Sequence, residues 1–350
     1  MTIQEQLDNN RHSVSFDNYD ITVRQLYDMI VDRQIDVAPD YQRHFIWDSI
    51  RQSQLIESLF LGIPVPNLFM ATNKDSTWEV IDGLQRLTTI VNFVGSIEAI
   101  KENNRNCEKL RLSGLEKLSS MNNHYFEDLA ASINFMFMTR PVRVTVLNDK
   151  SDFNVRYDLF ERLNTGGVTL HPQEIRNCVY IGAFKDFLVE SSNVPSFRGS
   201  IKMTESLERT GNLEELVLKF FAYYEDRNLF VHSVKGFLNE YMQKKTKAFN
   251  NKIFFRELFI QTFDLINQLL PNGIVRGTRV NVTPLILFEA ISIGVADLIQ
   301  LGHENLITGE KLQTLLNHDT LKRLTTGATN SRNKLNERID FVKNYILDEL

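Results

Sequence analysis

Thr77-Trp78-Glu79-Val80-Ile81-Asp82-Gly83-Leu84-Gln85-Arg86-Leu87-Thr88-Thr89 is the stretch on which the fold turns. Its first five residues are rich in aromatic and β-branched types, the pattern of a strand. After Gly83, residues Leu84, Leu87, Thr88 and Val91 recur at helical spacing, and Phe93 and Val94 close the run. A strand passing through Asp-Gly into a helix gathers backbone N–H groups and the positive end of the helix dipole at the turn, which suits an anion such as phosphate. Arg86 falls in the first helical turn, within reach of that anion. The same residues have a plainer reading, in which Asp82 caps the helix, Gly83 makes the turn and Arg86 pairs with a surface carboxylate.

Working outward, the surrounding chain reads as a mixed α/β lobe. Thr22-Val23-Arg24-Gln25 is a capping-box pattern that opens a helix with Leu26, Met29 and Ile30 on one side. Asp48 is placed to cap a second helix, which runs through Leu55, Ile56, Leu59 and Phe60 and stops at Gly62. Pro64 and Pro66 then force extended chain into a strand at Asn67–Ala71, turned by residues 73–76 into Thr77–Ile81. Arg140–Leu147 reads as a further strand, and polar Lys101–Asn123 as an excursion from the sheet. From Asp152 the pattern becomes helical: Phe153, Tyr157, Phe160 and Leu163 precede an Asn-Thr-Gly-Gly break. Helical segments then follow at Glu174–Leu188, Leu213–Glu225, Ser233–Lys245, Phe254–Leu270, Pro284–Leu301 and Arg338–Leu347. The aromatic residues Phe220, Phe221, Tyr223, Tyr224, Phe230 and Phe237 read as a helical core.

Composition narrows the class. At 350 residues and 43% hydrophobic content the chain can bury a sizeable core and is expected to form two lobes packed together. Two cysteines, Cys107 and Cys178, exclude a disulfide framework and fit a reducing cytosol. The N-terminus lacks the basic and apolar regions of a signal peptide, and Phe254–Leu270 is broken by Arg256, Glu257 and Asp264, so a cytoplasmic protein without membrane contact is expected. Residues 1–150 carry 15 Lys/Arg against 20 Asp/Glu, and residues 151–350 carry 24 of each. Neither half is the basic body of a protein that holds DNA mainly by neutralising phosphates, although Lys244-Lys245-Thr246-Lys247 and Lys322-Arg323 are local basic runs. No Gly-x-x-x-x-Gly-Lys-[Ser/Thr] loop is present, and no Cys/His pairs stand at zinc spacing.

Two more blocks keep register with the junction. Upstream are Val37-Ala38-Pro39-Asp40-Tyr41-Gln42-Arg43-His44-Phe45-Ile46-Trp47 and Gln54–Pro66; downstream is Leu159-Phe160-Glu161-Arg162-Leu163-Asn164-Thr165-Gly166-Gly167-Val168-Thr169-Leu170, continuing to Glu174-Ile175-Arg176-Asn177. In this order and spacing the three resemble the N-terminal domain of GmrSD-type modification-dependent restriction systems, from Ile21 to at least Tyr180. The family signature is Asp-Gly-Gln-Gln-Arg; here Leu84 replaces its first Gln. Weaker echoes follow at Glu214–Phe221 and Ser233–Leu238.

The resemblance implies an α+β fold. A ParB/sulfiredoxin-like mixed lobe over residues 1–150 would bind nucleotide, and a mainly helical lobe over residues 151–350 would pack against it. It implies nucleotide binding and hydrolysis tied to sensing modified or phage DNA. In that family a separate C-terminal domain often carries a nuclease site; with Leu350 the last residue, a stand-alone form without that domain is expected, with a nuclease or effector supplied by another chain. The site then comprises Asp82, Gln85 and Arg86 as catalytic candidates, with Asp82 also the candidate ligand of Mg²⁺ accompanying a nucleoside triphosphate. Tyr41, Gln42, Arg43, Gly83, Asn164, Gly166 and Gly167 are the nucleotide-binding candidates, and Glu57, Glu174 and Arg176 the supporting ones. Alternatives stand beside each. Gly166-Gly167 equally reads as a helix stop, Glu174 and Arg176 as forming an intramolecular ion pair with the site arginines, and Trp47 as packing beneath the sheet. Three functions are compatible: a nucleotide hydrolase, a catalytically silent sensor of DNA or a partner protein, and a metal-dependent nuclease using Asp82, Glu57 and Arg86.

Overall fold

Strand β1 (Phe16–Thr22) hands the chain directly to helix α1 (Val23–Val31) through a reciprocal cap. The Thr22 hydroxyl accepts from the Gln25 N–H at 3.2 Å, and Gln25 Oε1 accepts from the Thr22 N–H at 3.1 Å. Two orphan donors of the first turn are satisfied at once, and the capping box read from the sequence is realised. The computed structural model describes residues 2–5, 15–36, 45, 47–73, 75–96, 108–148, 153–163, 171–208, 210–278, 281–327 and 330–349. By packing, the chain divides into two units, Met1–Thr169 and Leu170–Leu350.

In the first unit, β2 (Ile35–Asp36) follows α1, and α2 (Ser49–Leu61) begins where Asp48 Oδ1 accepts from the Arg51 N–H at 2.8 Å. Gly62, at φ +70°, ends it. The hairpin of β3 (Leu68–Thr72) and β4 (Trp78–Asp82) then delivers the chain to α3 (Leu84–Val94). An irregular excursion over residues 108–129 returns through α4 (Ala131–Met138), a helix absent from the sequence reading, to β5 (Pro141–Leu147) and α5 (Phe153–Leu163). The five strands order as β1-β5-β3-β4-β2. β5 is antiparallel to β1 and parallel to β3, and β4 is antiparallel to β3 and parallel to β2.

One sheet face presents Leu68, Met70, Val80, Val142, Val144 and Val146 to a core completed by Leu26 and Ile30 of α1, Ile56 and Phe60 of α2, Leu87 and Phe93 of α3 and Phe137 of α4. The rings of Phe60, Phe93 and Phe137 meet at centroid distances of 4.6 to 6.3 Å, each such pair contributing roughly 0.5–1.5 kcal/mol beyond its area. Ala71, Glu79, Ile81, Thr145 and Leu147 are buried as well. With both faces covered, the central strands read as nearly continuous apolar runs rather than alternating ones. Helix α5 packs on β4, buries Tyr157 and Phe160, and bonds Arg156 Nη2 to the Thr72 carbonyl at 3.2 Å.

The second unit is helical: α6 (Pro172–Val179), α7 (Ala183–Ser192), α8 (Pro195–Ser200), α9 (Glu205–Glu208), α10 (Asn212–Asp226), α11 (Val234–Lys247), α12 (Lys252–Leu269), α13 (Leu285–Gln300), α14 (Gly309–Asn317), α15 (Asp319–Leu324) and α16 (Arg332–Ile346). The single helix expected over Glu174–Leu188 is two, because Gly182 sits at φ +143° between α6 and α7. Phe197, Phe220, Phe221, Phe259 and Phe263 form one aromatic seam with ring centroids 4.6 to 5.6 Å apart. Helices α13 and α16 are pinned by a buried Arg338–Glu289 pair at 2.6 Å. They approach so closely that a Cβ on Gly294 would stand 2.7 Å from Val342 Cγ1. No helix among the described residues is long and apolar enough to cross a membrane.

Burial pushes the Glu214 carboxyl, on the first turn of α10, above its ordinary value of 4.5, and its Oε2 has no hydrogen-bond partner. A carboxyl with a raised folded value holds its proton where the unfolded chain has lost it, so its presence makes stability fall as pH rises from the ordinary value to the folded one. Glu214→Gln is expected to remove that slope. Thermal unfolding between about pH 4 and about pH 8 should show the variant gaining on the wild type as pH rises, and parallel curves would contradict the assignment.

Candidate functional site

Asp82 is the last residue of β4, and Gly83, at φ +107°, turns the chain into α3. Glycine is required twice over. The left-handed backbone disfavours any side chain, and a Cβ here would stand 2.4 Å from Leu68 Cδ2. Gly83 is itself the N-cap, and no side chain caps the helix. The plainer reading of the sequence is therefore corrected: Asp82 does not cap α3. Its Oδ2 accepts from Arg86 Nη2 at 2.7 Å, while Arg86 Nη1 donates to the Pro66 carbonyl at 2.6 Å. The pair lies at the surface of the fold without being fully exposed, Arg86 at 12% and Asp82 at 36% side-chain exposure. Arg86 thus ties the start of α3 to the end of β4 and to the approach to β3.

Gln85, between them in the motif, turns elsewhere. Its Oε1 accepts from the Trp47 N–H at 3.2 Å, and Gln52 Nε2 of α2 donates to the Trp47 carbonyl at 3.1 Å. Trp47 is partly buried and packs against the first-unit core, with the Arg51 guanidinium 4.8 Å above its ring. Leu84, the departure from the signature, also packs against that core.

The first unit is the setting in which the comparison with known families is decisive. Residues 23–181 match the family described as GmrSD restriction endonuclease, N-terminal domain. This segment belongs to that family. It is a domain of restriction systems, and here it spans α1 through α6 and includes the Asp82–Arg86 junction. No curated protein matches the chain.

The GmrSD domain reaches Ile181, one helix into the second unit, and the geometry of α6 explains what that helix does. Glu174 is the third residue of the helix, and its Oε2 accepts from the His171 N–H at 2.6 Å. Arg176, 1% exposed, bonds Glu215 of α10 at 3.0 Å, Gln173 at 3.1 Å and Asn239 of α11 at 2.8 Å. Burial raises the Glu215 carboxyl, but Lys219, Arg176 and His171 together outweigh it and hold the group below its ordinary value. Within the second unit, then, Glu174 caps its own helix and Arg176 anchors α6 to helices beyond the family match. Glu57 accepts with Oε1 from the Lys117 and Leu118 N–H groups at 2.9 and 2.8 Å, fastening the excursion to α2. Tyr41, Gln42, Arg43, Asn164, Gly166 and Gly167 lie outside the described residues. Of the basic runs, Lys244 pairs with Asp226 and Lys245 with Glu225 at 2.6 Å each, and Lys322 pairs with Asp319 at 3.1 Å. His318 caps α15 by accepting from the Thr320 N–H at 3.2 Å.

Sequence reasoning missed two participants, and one buried charge on the strand that leads to them. The Pro66 carbonyl carried no signal, because any residue supplies one. Leu68 was read only as a strand residue, although a left-handed glycine beside a buried strand implies a close neighbour. Glu79 did leave a signal, being a charge inside an apolar strand. It is 4% exposed and stands beside Asp36 in the parallel register of β2 and β4.

Gly83→Ala is expected to cost about 1–3 kcal/mol from backbone strain alone, read as a lower urea midpoint; an unchanged midpoint would refute the left-handed turn at residue 83. Glu215→Ala should destabilise the protein by about 3–5 kcal/mol by leaving Arg176 buried among neutral partners. Since the Glu215 carboxyl is held below its ordinary value, its contribution is present above that value and lost as pH falls through the folded one, so wild type and variant should converge in acid.

Proposed function

We propose that the GmrSD-type domain of this chain binds a nucleoside triphosphate at the Asp82–Arg86 junction and hydrolyses it as part of a restriction or anti-phage system, sensing modified or foreign DNA. The observation that carries the reading is the junction itself. A glycine that admits no side chain, at the uncapped start of an 11-residue helix, stands beside an arginine whose guanidinium is already oriented by two acceptors. Backbone N–H groups at a helix start and a planar guanidinium are the two donors best matched to phosphate oxygens.

The closed Asp82–Arg86 pair has nearly cancelling charge and little pull on an anion. Were Asp82 to hold a cation, Arg86 would be able to exchange its carboxylate acceptor for a phosphate. Among the described residues no group of three or more His, Cys, Asp or Glu is arranged to hold a metal. One carboxylate fits Mg²⁺, which is commonly bound by one or two carboxylates and the substrate's own phosphates. Asp82 is the residue that would hold the ion, and the ion would offset phosphate charge. Leu84 packs inward, so its replacement of the signature Gln removes a polar group at the junction without loosening the helix.

A second reading, a silent sensor of DNA or of a partner chain, is favoured by the same closed pair, since Arg86 already holds two acceptors without a ligand. Titration of the protein with ATP, GTP and CTP in the presence of Mg²⁺, followed by phosphate-release assays, separates the two. The hydrolase reading expects saturable binding, at least about tenfold weaker in Arg86→Ala, and release lost in Asp82→Ala. Binding without release supports the sensor, and no binding of any nucleotide sinks the proposed site.

A further inference from the structure

Trp47 is gripped at both ends of its backbone by side-chain amides from different helices. Its N–H can only donate, so it faces Gln85 Oε1 of α3 at 3.2 Å; its carbonyl can only accept, so it faces Gln52 Nε2 of α2 at 3.1 Å. The orientation of both amides is thereby fixed by the main chain. Gln52 Oε1 is left to accept from Asn92 Nδ2 at 3.2 Å, and the Asn92 carbonyl accepts from the Leu110 N–H at 2.8 Å. Gln52 is 8% exposed and Asn92 2%. The Asn92 Oδ1 atom is buried with no hydrogen-bond partner. A buried amide chain with an orphaned acceptor is a poor way to gain stability, since an apolar seam of the same volume would carry no such penalty. It does confer one arrangement of Gln85, the residue that sits directly before Arg86.

We propose that Gln52 is a positioning residue for the Asp82–Arg86 site, acting through the Trp47 backbone to hold Gln85 and the first turn of α3 in the geometry that receives phosphate. The proposal rests on the nucleotide-binding reading given above. It assigns a task to a residue outside the signature, on a different element from either Asp82 or Arg86. With Gln52 removed, the Trp47 carbonyl loses its donor, residue 47 moves, and the bond from its N–H to Gln85 is disturbed.

Trp47 and Trp78 are the only tryptophans, so a Trp78→Phe background makes Trp47 emission a direct report on the clamp. In that background Gln52→Met keeps the side-chain volume and removes both hydrogen bonds. The expected result is a red-shifted, more quenchable Trp47 in the ligand-free protein, together with Mg²⁺–ATP, –GTP or –CTP affinity about tenfold weaker by calorimetry. Gln85→Met should do the same, and the double variant should add little, because both residues hold the main chain of the same residue, Trp47. Should Gln52→Met fail to fold, Gln85→Met carries the same two readouts from the other end. Unchanged Trp47 emission overturns the proposal, and so does altered emission with unaltered affinity, which would make the bridge merely structural. If the wild-type protein itself binds no nucleotide, the site reading fails first and Gln52 has nothing to position; that outcome is recognised by a silent titration before any substitution is made.

Discussion

The guanidinium of Arg86 holds three pieces of chain that are distant in sequence or direction. Asp82 ends a strand, Arg86 begins a helix, and Pro66 leads into the neighbouring strand; two hydrogen bonds of 2.7 and 2.6 Å join them across a left-handed glycine whose Cβ would crowd Leu68. A charged pair of this kind at partial exposure contributes little to stability by itself. Its effect is geometric: it fixes the direction in which α3 leaves the sheet, and with it the placement of Leu87, Ile90, Val91 and Phe93 in the core of the first unit.

Around that junction polar side chains are spent mostly on backbone. Gln85 and Gln52 serve Trp47, Glu57 serves Lys117 and Leu118, and Ser53 Oγ accepts from the Ser113 N–H at 3.0 Å. These bonds fasten Trp47, just ahead of α2, and the excursion over residues 108–129 to regular helices. Irregular chain brings unpaired N–H and C=O groups with it, and burying them beside a core is tolerable only when side chains take the place of a ladder. The second unit solves a different problem. It buries Arg176 and Arg338 almost completely and balances each with a carboxylate from another helix, Glu215 and Glu289. A buried pair of this kind adds little net stability over apolar packing, but removing one partner leaves an uncompensated buried charge.

Much of this was legible in the chain. Thr22 with Gln25, Asp48 with Arg51, and Gly62 announced their helix ends because capping is a contact between residues three or four apart. The hairpin of β3 and β4 followed from two β-rich runs bounded by prolines and a polar turn. The short helices α4, α8, α14 and α15 were not legible, since an apolar stripe of two turns has no period that can be counted. The expected cap at Asp82 was wrong because a longer partner, Arg86, lay within reach of the same carboxylate.

By itself the sequence determined the α+β order of elements, the glycine turn from strand into helix, and the register of motifs that places residues 23–181 in the GmrSD N-terminal domain family. Those are local or one-dimensional properties, written in spacing and residue type. Only the tertiary structure decided that β5 enters between β1 and β3, that Arg86 closes on Asp82 and Pro66, that Gln85 reaches Trp47 across 38 positions, and that Arg176 is answered by Glu215 and Asn239. Each is a pairing between groups far apart in the chain or one choice among several available acceptors, and such choices are settled by which backbone and side chains the packed core brings within about 3 Å of one another.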